Sequence, residues 1–413
     1  MTTSSYAVLA PRNDLAVPRP ANNTYFPALD GLRAIAFLMV FVQHYLQWPW
    51  GWTGVDVFFV LSGFLITGIL FDTRDQPHRV RNFYVRRTLR IFPLYYGLIL
   101  LLVLTYPLFR WDWNWRWILW PAYLGNFAHG VHPMPSRSSL QMLADFQPLS
   151  RSFPHVQLFL GHFWSLCVEE QFYLFWPWVI FWLRDRKKLM WICVACIVVC
   201  PIMRIVGNHT LPKFMLDQEV LYRWTPFRVD ALLLGGLVAL VLRGPSRRAM
   251  LTAARFGFGV LLSALLLWLA LVPSARHRPE GYVYPGWHYT GGLVFVDFLS
   301  ACLIVMAVET GSWTFRVFSV RPLRWLGRIS YGAYVFHDIL HPEFVRVAQN
   351  LRHARTGTAL VALTCTLLLS QASFRYFETP FIRLKERLTR PSRRSRPQIR
   401  IVETEDALKR LAS

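Results

Sequence analysis

Charged residues are scarce in this chain of 413 residues. Asp, Glu, Lys and Arg make up 16% of it and hydrophobic residues 54%, whereas a soluble domain carries about 25% charged residues. Acidic residues are fewer than basic ones: 23 Asp and Glu against 45 Lys and Arg, which gives a formal net charge of +22. In a soluble protein that charge would suggest nucleic acid. Here the basic residues form short clusters between apolar runs, as in cytoplasmic loops, so the composition argues against nucleic acid and for a membrane protein.

Cysteines are also few. The six of them lie mostly within apolar runs rather than in loops, which argues against a disulfide framework. Cys193, Cys196 and Cys200 share one helix face, where ordinary helix packing is favoured over the alternative of a metal site. The first 27 residues are polar and lack the apolar core and cleavage site of a signal peptide, so we expect a disordered tail there.

Apolar segments near the ~20 residues that a membrane-spanning helix needs recur along the chain. A Trp-rich stretch, 111–127, is short and contains a proline, which indicates an interfacial segment. Ten spans are predicted: 28–46, 53–70, a third from within the basic cluster 72–90 to about residue 108, 163–183, 189–206, 226–242, 256–272, 290–308, 329–344 and 357–377.

The basic clusters orient these spans, because Lys and Arg are enriched in cytoplasmic loops. With the N-terminus inside, segments 184–188 and 309–328 are cytoplasmic; only 345–356, with three arginines outside, fits less well. We therefore predict an all-α polytopic bundle of about ten helices with both termini cytoplasmic. Residues 28–378 would form the membrane domain and 379–413 a basic cytoplasmic tail, with no further globular domain.

Ionisable residues inside the first two spans are candidates for function, because such groups are costly in hydrocarbon. Arg33 and His44 are eleven residues apart, which places them on one helix face about 16 Å apart along the axis. Asp56 in the second span is expected at a depth similar to His44, where its carboxylate would fix the imidazole tautomer. The alternative for Asp56 is a capping box with Thr53.

Three further polar groups lie at membrane depth. Arg87 and Arg90 share a face of the third helix, and their planar guanidinium groups suit phosphate; the alternative is anchoring by side chains that reach the interface. Glu169 and Glu170 are adjacent, so at most one is expected to face the same cavity as His44. His337 either faces that cavity or is structural.

These motifs together resemble the acyltransferase-3 family of bacterial integral membrane acyltransferases. The matching pieces are FPALDGLRAIA with Arg33 and His44, GVDVFFVLSGFLIT, the RxxR of Arg87 and Arg90, HFWSLCVEEQFYLFWP, LGRISYGAYVFH and the terminal YFETPF. The resemblance implies acyl-CoA as donor, most often acetyl-CoA, and a hydroxyl of a surface glycan or glycolipid as acceptor. It also implies that Asp56 and Glu169 are functional positions.

The combined prediction is an O-acyltransferase of the bacterial inner membrane. Arg33, Arg87 and Arg90 would bind the acyl-CoA phosphates, while His44, oriented by Asp56, would act as general base or as an acyl-carrying nucleophile. Glu169 would position the acceptor or pass protons, and no metal is expected. The rival prediction is a transporter or export component with an intramembrane relay of the same residues, and no internal repeat supports it.

Overall fold

The computed structural model describes residues 25–105, 118–128, 160–217, 219–271, 288–339, 341, 344 and 355–389. Within these ranges the chain forms helices and turns without a β-strand. The helices longer than eight residues are α1 (Pro27–Leu46), α2 (Thr53–Thr73), α3 (Arg79–Leu104), α4 (Trp164–Leu183), α5 (Arg186–Thr210), α6 (Val229–Leu242), α7 (Arg247–Leu271), α8 (Leu293–Ala307), α9 (Arg321–Phe336), α10 (Arg355–Ala372) and α11 (Thr379–Leu388).

The all-α, multi-pass membrane bundle predicted from the sequence is confirmed. Helices occupy all ten predicted segments, and seven of them in the described chain are long and apolar enough to cross a membrane. The other three are α4, the 14-residue α6 and the 16-residue α9. The tail before residue 25, residues 111–117 of the Trp-rich stretch and most of 345–356 lie outside the described residues.

The predicted bounds of the ninth span were wrong. The ninth span was predicted at 329–344, but α9 begins at Arg321, where a proline occupies the first turn, and ends at Phe336. Its early arginines belong to the polar face of a helix and not to a loop. After the tenth predicted span, a π-helical segment, Ser373–Glu378, joins α10 to α11. The helix therefore continues to Leu388, and the end of the membrane domain at residue 378 stays a prediction.

α2 is the central helix of the bundle. Of its apolar stretch, 83% is buried within the protein, against 6% for α7, whose apolar side chains therefore face outward as lipid-facing residues do. The closest packing of α2 is with α6, and it depends on glycine. A Cβ on Gly63 would lie 1.7 Å from the Leu232 carbonyl oxygen, and one on Gly235 would lie 1.9 Å from the Val60 oxygen.

The end of α1 and the end of α9 lie side by side. α1 packs against both α2 and α9, and the contact with α9 is again close, since a Cβ on Gly327 would lie 1.9 Å from the Asp30 oxygen. At the C-terminal end of α1, the Tyr45 hydroxyl donates to the His337 carbonyl at 2.7 Å. This packing brings His44 beside the residues that follow α9.

Candidate active site between two cavities

The first cavity, called here the arginine cavity, has a volume of about 100 Å³ and is lined by Arg33, Arg87 and Arg90. The three arginines come from α1 and α3, and α2, α4 and α9 supply most of the remaining lining. The Arg87 guanidinium lies over the Tyr173 ring, 4.0 Å from its centroid. Its Nε has no hydrogen-bond partner among the described residues. Three cations predicted from two separate motifs therefore meet in one cavity.

Glu169 also lines the arginine cavity, where Tyr173 and Ser62 are its neighbours. The hydroxyls of Ser62 and Tyr173 are hydrogen-bonded to each other. Neither Glu169 nor Glu170 is among the described residues that line the cavity of His44. Glu169 therefore faces the arginines, because α4 directs its carboxylate into that cavity, and its role in positioning the acceptor or passing protons stays a prediction.

His44 belongs to a cluster of histidines around one buried carboxylate. His44 Nδ1 lies 3.0 Å from Asp338 Oδ1, and His162 Nδ1 lies 3.5 Å from Asp338 Oδ2. His337 stacks on His44 with ring centroids 5.2 Å apart. His341 Nε2 lies 2.9 Å from the His44 carbonyl oxygen and Nδ1 lies 3.6 Å from Asp338 Oδ1. Asp338, 1% exposed, is thus the anion that these imidazoles share.

The orientation of His44 suits proton transfer. With Nδ1 directed at Asp338, Nε2 is the nitrogen left to accept a proton. The His44 side chain is 25% exposed, and it lines a second cavity of about 190 Å³, called here the histidine cavity. A carboxylate behind an imidazole, with an accessible nitrogen in front, is the arrangement of a general base.

Asp56 does not orient His44, so that prediction was wrong. Its carboxylate, fully buried, forms an ion pair with the equally buried Arg228 at 2.5 Å. The capping alternative was wrong too, since α2 has no side-chain cap. Arg228 lies at the start of α6, and Arg204 pairs with Asp230, two residues after Arg228. Asp56 therefore belongs to a buried charge network that joins α2, α5 and α6.

Two residues, Val55 and Tyr334, line both cavities. The Tyr334 hydroxyl is 2.6 Å from Ser165 Oγ and donates to the His162 carbonyl at 3.0 Å, which holds the ring in place. Arg33 and His44, on the same helix, lie in the arginine and the histidine cavity respectively. The arrangement places a cationic site and a base in two cavities, with the shared lining residues Val55 and Tyr334 as the partition between them.

The sequence interpretation missed Asp338 and His162 as site residues. Both lie in quoted motifs or next to them, His162 at the start of HFWS and Asp338 directly after His337, but nothing local distinguishes them from structural polar residues. A metal was not predicted either. In the described chain, the ligand atoms of His44, His337 and Asp338 lie within 4.8 Å of one another, close enough to hold a metal ion.

The comparison with protein families assigns this arrangement to a class. The model of the acyltransferase-3 family, described as an acyltransferase domain, matches residues 26–374, which includes every residue of both cavities. The chain therefore belongs to this family, and the resemblance inferred from its motifs is confirmed. No solved structure matches the chain.

Individual relatives are similar over most of the chain. It is 29% identical over 371 residues to the peptidoglycan O-acetyltransferase OatA of Listeria monocytogenes, covering 86% of this chain and 56% of the relative. It is 28% identical over 372 residues to the O-acetyltransferase OatA of Staphylococcus aureus, covering 86% and 57%. The chain thus spans about half the length of these relatives.

Proposed function

We propose that this membrane protein transfers an acyl group, acetyl in the first instance, from acyl-CoA to a hydroxyl of a cell-surface glycan. The names of the relatives make a cell-wall glycan the first acceptor to test. The observation that carries the proposal is the pair of cavities, one cationic and one containing His44, that share Val55 and Tyr334. The bacterial inner membrane is the proposed location, where a cytoplasmic donor and an external acceptor are both within reach.

The arginine cavity is the proposed donor site. Guanidinium groups form charge-assisted, often bidentate, hydrogen bonds with phosphate, and acyl-CoA carries several phosphates. Arg33, Arg87 and Arg90 would hold these, with the pantetheine arm directed along α1. The ~16 Å between Arg33 and His44 is about half of the ~30 Å hydrocarbon core. The arm would then bring the thioester to the partition at Val55 and Tyr334.

His44 is the proposed general base. Its Nε2 takes the proton of the acceptor hydroxyl as the oxygen attacks the thioester carbonyl. The C–O bond forms, the C–S bond breaks, and the departing CoA thiolate receives the proton from the imidazolium. Asp338, 3.0 Å behind His44 Nδ1, stabilises the imidazolium in between. Glu169 and Tyr173 belong to the donor side, where the glutamate balances part of the arginine charge.

His44→Ala tests the assignment directly. With the full chain in lipid nanodiscs, radiolabelled acetyl-CoA and a glycan acceptor, we expect the rate of transfer to fall by about a hundredfold or more, since a positioned base contributes about 10²–10⁴-fold. The matched control is His209→Ala, an exposed histidine in the last turn of α5, which should transfer normally. Transfer by His44→Ala at the wild-type rate would refute the base.

A further inference from the structure

The histidine cavity has walls of mixed chemistry. Four Trp and Tyr side chains line it: Trp52, Trp164, Tyr222 and the shared Tyr334. The Trp164 and Tyr222 rings lie 4.8 Å apart, and Trp164 is 4% exposed. Such rings offer flat apolar faces within a cavity that also contains polar groups. A ligand here must therefore present an apolar face and hydrogen-bonding edges together.

An ion pair lies in the same lining. Arg223 Nη2 is 2.8 Å from Glu219 Oε2, with the two side chains 19% and 28% exposed. The Arg223 guanidinium also lies over the Trp164 ring, 5.9 Å from its centroid. Glu219 has a φ of 56°, a left-handed conformation that is unfavourable for a residue other than glycine. The strained backbone places this carboxylate beside Arg223 at the cavity, and strain of this kind is often kept for function.

The charge of this lining differs from that of the arginine cavity. Arg223 is paired with Glu219, so the cavity carries no surplus of positive charge from this pair to attract a phosphate, sulfate or carboxylate. The paired groups still have hydrogen-bonding capacity, because a carboxylate has about four acceptor positions and a guanidinium five donors. An uncharged polyhydroxylated ring with C–H faces satisfies both the aromatic and the polar parts of the wall.

We propose that the histidine cavity is the acceptor subsite and binds an uncharged sugar ring. The ring packs its C–H face on Trp164 and Tyr222, while its hydroxyls bond to Glu219 and Arg223. One hydroxyl is then presented to His44 Nε2, the accessible base in the same cavity. The role of the bound sugar as an acceptor rests on the proposed function. The binding of the sugar itself does not require acyl transfer to occur.

Direct binding tests the subsite independently of catalysis. Chitotetraose, an uncharged tetrasaccharide, is titrated into the full-length protein in nanodiscs and followed by saturation-transfer NMR, beside a sulfated tetrasaccharide of equal length. We expect the uncharged probe to bind and the sulfated one not to.

Trp164→Ala and Glu219→Gln should each raise the Kd for chitotetraose by about tenfold, as for removal of one central contact. Trp182→Ala, which changes an exposed tryptophan near the other end of α4, is the matched control and should bind normally.

The outcomes separate this inference from the proposed function. Glu219→Gln is nearly isosteric at a part-exposed position, so it reports on binding even if Trp164→Ala fails to fold. One outcome is that chitotetraose binds and Glu219→Gln weakens that binding, while the wild-type protein shows no acetyl transfer. This result would support the subsite and refute the proposed function. If acetyl transfer is normal but neither variant changes the Kd for chitotetraose, the subsite is overturned. Preference for the sulfated probe, or no binding of chitotetraose at all, overturns it as well.

Discussion

Asp338 is the residue on which the proposed base depends. Its buried carboxylate lies 3.0 Å from His44 Nδ1, and removal of its charge takes away the group that orients the ring and stabilises the imidazolium. We expect Asp338→Asn to lower kcat by about a hundredfold and to leave the KM for acetyl-CoA unchanged, because the arginine cavity is intact. Steady-state kinetics measure both. Asp185→Asn, at the exposed start of α5, is the control.

The same cluster permits a second test, since His44, His337 and Asp338 could hold a metal. A metal there would occupy the nitrogen or the carboxylate on which general-base catalysis depends. We expect purified protein to contain no stoichiometric transition metal and its transfer rate to survive a chelator. A bound metal at one equivalent, lost in Asp338→Asn together with activity, would make His44 a ligand and contradict the base.

The proposed donor site depends on two further single residues, Arg87 and Arg90. Replacement of both by Ala should weaken acetyl-CoA binding by about tenfold or more, since charge-assisted bonds to phosphate are lost, while binding of the acceptor stays unchanged. Lysine at both positions should restore binding only in part, because it lacks the planar fork. Isothermal titration with CoA measures the effect. Arg86→Ala, the exposed neighbour on α3, is the control, and unchanged CoA affinity in the double variant would contradict the assignment.

At the scale of the helices, the α2–α6 contact holds the wall of the site in place. Val55 lies on α2, one turn into the helix, so any separation of α2 from α6 moves the partition between the cavities. We expect Gly63→Ala to destabilise the protein by about 1–3 kcal/mol, because its Cβ would lie 1.7 Å from the Leu232 oxygen. Thermal unfolding in detergent measures this. Gly259→Ala on α7, where a Cβ meets nothing within 4 Å, should unfold like the wild type.

The buried charge network is the other feature at this scale. Arg228 and Asp56 join α6 to α2, while Arg204 and Asp230 join α5 to α6. A buried ion pair is rarely a large net gain in stability, but loss of one partner leaves an uncompensated charge. The network therefore fixes which helices are neighbours. Asp56 contacts Arg228 rather than His44.

At the scale of the molecule, the proposed mechanism depends on orientation in the membrane. The basic loops predict that the arginine cavity faces the cytoplasm and His44 the outer half. Single cysteines at Trp48 and Asp75, both exposed, in a background without the native six, test this with a membrane-impermeant thiol reagent. Trp48→Cys should label in intact spheroplasts, and Asp75→Cys only after permeabilisation. The opposite pattern would invert the protein and remove the route from donor to acceptor.

The choice of labelling positions itself follows from the packing. Gly51 lies in the same turn as Trp48, but a Cβ there would lie 2.2 Å from the Met39 oxygen. A cysteine at Gly51 would therefore disturb the α1–α2 hairpin that holds His44. Trp48 carries no such conflict, because its side chain is 43% exposed.

The sequence by itself determined the class of fold and the outline of the site. Apolar runs of membrane length predict where helices form, because hydrocarbon requires every backbone group to be paired within a helix. The spacing of Arg33 and His44, and that of Arg87 and Arg90, predicts their shared faces because helical periodicity is local. These four residues can be identified as candidates from the sequence without information about the neighbouring helices.

The tertiary structure alone decided which polar groups are partners. Asp56, predicted to orient His44, pairs with Arg228, 172 positions away along the chain, and Asp338 takes its place beside His44. Glu169 faces the arginines, and Trp164 and Tyr222 meet across a cavity. Such pairings depend on which helix faces pack together, through contacts such as that between Gly63 and Leu232. Periodicity within one helix carries no information about its neighbour, so the partner of a buried charge is settled only when the bundle is assembled.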